Sequence, residues 1–157
     1  MPVVDLIDLK ATLTPGLRLM GVDLGEKTIG LALSDTRLSV ASPLETLKRG
    51  KFSADAQKLS DLMSGHGVGG LVIGLPLNMD GSEGPSAQSA RAFARNFAAH
   101  SAAPVTLWDE RLSTAAVTRT LLEADSSRKR RAEVVDKMAA AYILQGALDR
   151  LRNMESR

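Results

Sequence analysis

Hydrophobic positions along the chain switch between two rhythms, continuous or alternating runs that predict strands and wider repeats that predict helices. A short apolar-acidic stretch stops at Thr14-Pro15-Gly16, and an apolar run containing Leu19-Met20-Gly21-Val22-Asp23 then predicts a buried strand over about 17–24. Gly25-Glu26-Lys27 makes a tight turn, Thr28 to Ser34 alternates as a second strand, and Asp35-Thr36-Arg37 turns into a third, Leu38 to Leu47, interrupted by Pro43. Helical spacing of Ala56, Leu59, Leu62 and Met63 predicts a helix over about 54–64, with Ser53 as its N-cap and Gly65-His66-Gly67 as its end. Gly70 to Leu75 is a short strand of the kind buried on both faces. Pro85 opens a helix to about 99 on Ala90, Phe93, Ala94 and Phe97, and Pro104 introduces a strand ending at Glu110. Ser113 caps a helix to about 124, and a last helix covers about 133–152. The order βββαβαβαα predicts an α/β fold, a mixed five-stranded sheet with helices on both faces, as a single domain over 17–153 behind an N-terminal extension, residues 1–16.

At 157 residues the chain fits one domain with a proper core, and with 3% aromatic residues that core rests on Leu, Val, Ile, Ala and Met. The absence of cysteine excludes disulfides, thiolate zinc sites and cysteine nucleophiles. No stretch approaches the roughly 20 apolar residues of a membrane span. Asp5 and Asp8 stand where a signal peptide carries positive charge, so a cytoplasmic location is expected. The net charge is only +2, but Arg128-Lys129-Arg130-Arg131 concentrates positive charge just before the last helix. Alone that run is as well read as a solvated loop; beside an acidic metal site it becomes a seat for phosphates.

Such a site is suggested by carboxylates on inward-facing elements. Asp23 ends the first buried strand, Glu110 closes the run Val105-Thr106-Leu107-Trp108-Asp109-Glu110, and Asp136 shares a helix face with Ala140, Ile143 and Ala147. Buried charges are expensive unless paired or bound to metal, so their joint pattern points to a divalent cation. Each has a plainer alternative. Asp23 can serve as a turn residue, Glu110 can pair with Arg111 or cap the helix near Ser113, and Asp136 can be a first-turn acid favoured by the helix dipole. Asp35 has its place in a turn, and Asp109 points to the face opposite Glu110. The glycine- and proline-rich segment Gly74–Gly84 is long for a plain connection and reads as a substrate-contacting loop, with Asn78 as its polar contact. Lys27 and Arg111 flank the acids and suit either phosphate or a surface ion pair. Arg91 and Arg95 read as solvated helix charge, and neither His66 nor His100 has a partner motif.

Val22-Asp23-Leu24-Gly25-Glu26-Lys27-Thr28-Ile29-Gly30 resembles the first-hairpin signature of the ribonuclease H-like superfamily. Gly74-Leu75-Pro76-Leu77-Asn78-Met79-Asp80-Gly81, Asp109-Glu110-Arg111-Leu112-Ser113-Thr114 and Val135-Asp136 are similar to motifs of one bacterial branch, the YqgF family. Its members are described as Holliday-junction-resolvase-like proteins or, provisionally, as pre-16S rRNA nucleases. The resemblance covers about residues 17 to 150. It implies a ribonuclease H-like fold and phosphodiester hydrolysis with Mg²⁺ or Mn²⁺, in which two ions roughly 4 Å apart activate water and stabilise the leaving oxygen. Asp23 would then bridge both ions, with Glu110 and Asp136 each completing one shell, and Lys27, Asn78, Arg111 and the run Arg128, Lys129, Arg130, Arg131 would meet the nucleic acid. Resolvases of the superfamily carry a further acid about one turn later, where this chain has Lys137, Met138, Ala139 and Ala140. The implied substrate is therefore the 5′ end of 16S rRNA precursor, with four-way DNA junctions, or non-catalytic binding in transcription or ribosome assembly, as alternatives. Partners expected are nucleic acid and ribosome-associated proteins, with no membrane, for a monomer or homodimer.

Overall fold

The computed structural model describes residues 3–112 and 128–155, the side chains of 128–136 and 155 lying outside that description. Strand β1 (Arg18–Leu24) forms the middle of a five-stranded sheet. It pairs antiparallel with β2 (Thr28–Ser34), which pairs antiparallel with β3 (Ala41–Lys48). On its other side β1 runs parallel to β4 (Val68–Leu75), and β4 runs parallel to β5 (Val105–Asp109). Helices α1 (Leu6–Thr12), α2 (Phe52–His66), α3 (Pro85–His100) and α4 (Arg128–Glu155) complete the described architecture, a mixed sheet with helices on both faces. None of these helices is long and apolar enough to cross a membrane.

Because side chains alternate across a strand, each strand splits its residues between two cores. Met20, Val22, Leu71 and Ile73 face α2 and α3, where Leu59, Phe93 and Phe97 are buried. Leu19, Val72 and Trp108 face α4, against Ala140, Ile143, Leu144, Ala147 and Leu148. The direction of α4 follows from its side-chain contacts. Gln145 donates to the Ser39 carbonyl and accepts from the Ala41 amide, at the turn between β2 and β3 (3.0 and 2.8 Å). That end of β2 lies beside the start of β1, where the Leu19 amide donates to Ser34 Oγ at 2.9 Å. The helix therefore runs antiparallel to β1, its N-terminal half toward the carboxyl ends of β1 and β4.

Residues 3–16 do more than precede the sheet. Leu9 of α1 is fully buried in the α4-side core, Val3 forms a bridge with Val105, and the Val4 amide donates to the Val105 carbonyl at 2.8 Å. This segment covers the β5 edge.

Several sequence expectations need correction. The last helix begins at Arg128, so the basic run is helical and not a loop before it. The cap of α2 is Lys51, with Ser53 inside the helix. The buried Asp55 carboxylate of that first turn instead takes the Gly50 amide, at 3.1 Å to each oxygen. β5 stops at Asp109, and Glu110–Leu112 form a 3-10 turn. The helix expected from Ser113 to about 124 lies outside the described residues. β3 starts at Ala41, not Leu38, because the preceding turn is longer than three residues. There Asp35 accepts from Ser39 N and Oγ, both at 2.7 Å, and from Val40 N at 3.1 Å, while Leu38 takes a left-handed φ of 56°.

These bonds, the Val40 amide foremost, hold the Asp35 carboxyl at about 2, below its ordinary 3.8. A depressed carboxyl stabilises the fold above its unfolded value and loses that contribution as pH falls through the folded one. Asp35→Asn is expected to lower Tm by about 2–4 °C at pH 7. The gap to wild type should close between about pH 4 and pH 2; thermal melts across that range showing a constant gap would refute the assignment.

Candidate active site

Asp23 lies on the α4 side of β1 by the same parity that puts Leu19 there. It is 3% exposed. Glu110 follows β5 two residues after Trp108, also on the α4 side, and is 4% exposed. β4 separates these two acids, and neighbouring strands stand about 4.8 Å apart, so their backbones are about 10 Å from each other. Gly74 closes that gap. It pairs with Trp108, and Ile73 before it pairs with Val22 before Asp23. A Cβ on Gly74 would stand 3.0 Å from Glu110 Oε2 and 2.5 Å from Ile143 Cδ1. The missing side chain is what lets the Glu110 carboxylate lie across β4 towards β1, beneath α4. Glycine inside a strand often marks such a close approach.

A second glycine sets the height of α4. A Cβ on Gly21 would come within 2.7 Å of the Ala140 carbonyl oxygen and 2.8 Å of Leu144 Cβ. Ala140 is one turn beyond Asp136, and Gly21 is two residues before Asp23. With α4 antiparallel to β1, one turn back along the helix (about 5.4 Å) matches two residues forward along the strand (about 6.6 Å). The backbone of Asp136 thus belongs to the Asp23 end of the sheet; its side chain is outside the described residues. Among the described residues no group of three or more metal-binding side chains stands together.

The flanking residues divide. Lys27 is exposed on the β1–β2 turn and Asn78 is exposed on the loop after β4, both at the carboxyl-end rim. Arg111 is engaged by protein: its Nε lies 3.1 Å from both Asp109 oxygens, its Nη2 2.8 Å from Oδ2, and its Nη1 donates to the Met79 carbonyl at 3.3 Å. The Arg111 hydrogen bond holds the Asp109 carboxyl below the usual carboxylate range and in return raises the guanidinium above its own. Asp109, opposite in parity to Glu110, is thereby accounted for. The side chains of Arg128, Lys129, Arg130 and Arg131 are outside the description, as is everything about Ser113. Arg91 pairs with Glu83, in keeping with surface charge.

Arg49 was not singled out by sequence. Its Nη1 donates to the Gly25 carbonyl at 2.9 Å and its Nη2 to Ser89 Oγ at 3.0 Å, tying the turn after Asp23 to α3. No local pattern signals this, because the partners are 24 and 40 positions away.

Comparison with known proteins agrees with this arrangement. A family model described as RuvX, Holliday junction resolvase, matches residues 17–150. A Roseobacter denitrificans protein provisionally named pre-16S rRNA nuclease is 64% identical over 150 residues, 94% of this chain and 92% of that protein. A Paramagnetospirillum magneticum protein of the same name is 62% identical over 149 residues, covering 95% and 96% respectively. Among solved structures, Thermus thermophilus RuvC in complex with a Holliday junction substrate superposes with a TM-score of 0.54 over 87% of this chain and 96% of that one, at 12% identity. That likeness shows a shared ribonuclease H-like fold.

Proposed function

This chain belongs to the RuvX Holliday junction resolvase family, and on that premise we propose that it is a divalent-metal-dependent nuclease that cleaves structured nucleic acid, with the 5′ region of 16S rRNA precursor as its substrate. The observation that carries the reading is the pair of nine-tenths-buried acids, Asp23 and Glu110, on one face of the sheet, with Gly74 clearing the space between them. Carboxylate oxygens suit Mg²⁺ or Mn²⁺, which take hard oxygen donors and retain several waters. Asp23, Glu110 and Asp136 are the residues that would hold one or two such ions. When bound, the metal supplies an activated water and neutralises charge on the phosphoryl oxygens.

The protein's own contribution is positional. Asp23 is fixed by the central strand, and Arg49 steadies the turn that follows it. Glu110 is fixed between β4 and α4, so its carboxylate cannot swing into solvent. Lys27 and Asn78, exposed on the carboxyl-end rim, would offer cationic and polar groups to a phosphate backbone, with Arg128, Lys129, Arg130 and Arg131 as further candidate contacts. The domain boundary at residue 17 in this reading separates the nuclease fold from the segment that covers its β5 edge.

The second reading, resolution of four-way DNA junctions, is favoured by the family's description. Paired symmetric cuts require a two-fold dimer. The test is cleavage of end-labelled 16S precursor and a synthetic junction in Mg²⁺, Mn²⁺ or EDTA, with the oligomeric state measured by light scattering. Metal-dependent cutting of the precursor is expected. Symmetric junction cutting by a dimer, with the precursor left intact, would replace the first reading with the second; binding without cutting in any metal would overturn both.

A further inference from the structure

Arg111 sits beside Glu110, where a guanidinium invites assignment as a phosphate ligand, but its surroundings say otherwise. Its ε edge faces the Asp109 carboxylate, and the backbone amide of Arg111 donates to the same oxygen, Asp109 Oδ1, at 3.0 Å. Its remaining nitrogen reaches the Met79 carbonyl, thirty-two positions earlier in the chain. Over the same guanidinium lies Gly81, in a left-handed conformation (φ 90°), where a Cβ would stand 3.6 Å from Nη1. Gly81 thus meets a demand of backbone handedness, and a Cβ there would make only ordinary contact with Arg111.

The segment so gripped is itself ordered by a closed set of bonds. The Asn78 amide donates to the Ser82 carbonyl (2.9 Å) and the Gly81 amide to the Asn78 carbonyl (2.8 Å). Asn78 Nδ2 donates to Ser82 Oγ (2.9 Å), which donates on to Asp80 Oδ1 (2.6 Å). All of these bonds are within the segment; Arg111 joins it to the β5 end. At the crown, Met79 is 89% exposed.

We propose that Asp109 and Arg111 form a latch that holds the 76–84 loop as a fixed wall of the cleft beside Glu110, making Arg111 a positioning residue and not a phosphate ligand. The proposal deepens the nuclease reading and rests on it for what the wall contacts, whereas the latch itself is a property of the protein alone. A fixed wall limits which way a nucleic-acid strand can cross the acids, so the latch governs binding and the place of cutting more than the chemical step.

The two assignments of Arg111 make opposite predictions for Asp109→Asn. A phosphate-binding arginine released from its carboxylate would hold nucleic acid more tightly. A latch loses its counter-piece, and Asp109→Asn then resembles Arg111→Ala. Hydrogen exchange on the protein without nucleic acid is read first: peptides spanning 76–84 should exchange about three- to tenfold faster in Asp109→Asn, Arg111→Ala and Arg111→Lys, with β1 and β4 peptides unchanged. Anisotropy titrations of labelled 16S precursor in EDTA, repeated across KCl concentrations, follow. Both Asp109→Asn and Arg111→Ala should weaken binding about three- to tenfold, with an unchanged dependence on salt, and in Mg²⁺ should raise KM more than they lower kcat and scatter the cut sites.

Unchanged exchange in 76–84 would overturn the proposal. So would tighter binding by Asp109→Asn, or a salt slope that falls by about one in Arg111→Ala, the signature of a lost phosphate contact. A wild-type protein that neither binds nor cuts the precursor would count against the nuclease reading, while the exchange result would still decide the latch.

Discussion

Asp23→Asn is expected to reduce metal-dependent cleavage at least about a thousandfold, a loss of about 4 kcal/mol in transition-state stabilisation, and to leave the protein folded. Asparagine matches the shape of aspartate but removes the anionic charge, and a hard divalent cation discriminates strongly between the two. The packing around Asp23 is unaltered, because β1 is held by β2 and β4 through backbone bonds that the substitution does not touch. In Mg²⁺ the wild type should gain Tm as metal concentration rises, because binding to the folded state alone stabilises it, and Asp23→Asn should gain little. Cleavage assays and thermal melts on the same samples check both halves. A variant that keeps more than a tenth of wild-type cleavage would remove Asp23 from the chemistry.

Gly21→Ala carries the largest expected effect on stability. One added methyl would stand 2.7 Å from the Ala140 carbonyl and 2.8 Å from Leu144 Cβ, and neither is the yielding end of a flexible side chain. The strand is buried and central, so α4 must lift. Overpacking of this kind costs about 2–3 kcal/mol, which in a protein of this size lowers Tm by roughly 5–10 °C. The lift occurs one helical turn from Asp136, so cleavage should fall as well, and more steeply than stability at a temperature where the variant remains folded. Gly65→Ala is the control: it lies within α2 with nothing near its added Cβ, and alanine is the better helix former. Its Tm should hold or rise slightly. Equal melting of Gly21→Ala and wild type would mean that α4 does not rest on β1 at this height.

Much of this was legible in the residues because strand parity is a local property. Once Leu19 to Asp23 reads as a buried strand, Asp23 must share a face with Leu19, and the same counting places Glu110 with Trp108 and Asp109 opposite. Asp35 was likewise readable as a turn residue, although not that its carboxylate would extend the turn to Val40 and delay β3. Ser53 does not cap α2 because the helix is entered two residues earlier, at Lys51, where Asp55 takes the Gly50 amide. The contacts between distant elements left no local trace. Gly21 and Gly74 look like weak points in strands until α4 and Glu110 are set against them. Arg49 becomes meaningful only when β3, α3 and the β1–β2 turn meet, and α1 only when Leu9 finds the α4-side core.

That α4 is the lid over this core bears on when the cleft comes into being during synthesis. Asp23 leaves the peptidyl-transferase centre early and Asp136 more than a hundred residues later, roughly ten seconds at ordinary rates of elongation. Until then Leu19, Val72 and Trp108 lack the larger part of their cover, Leu9 of α1 apart, and the two acids on their face remain open to water. The nascent chain therefore has no finished cleft until α4 has been made. The cleft takes its shape only when that helix settles onto Gly21 and Gly74.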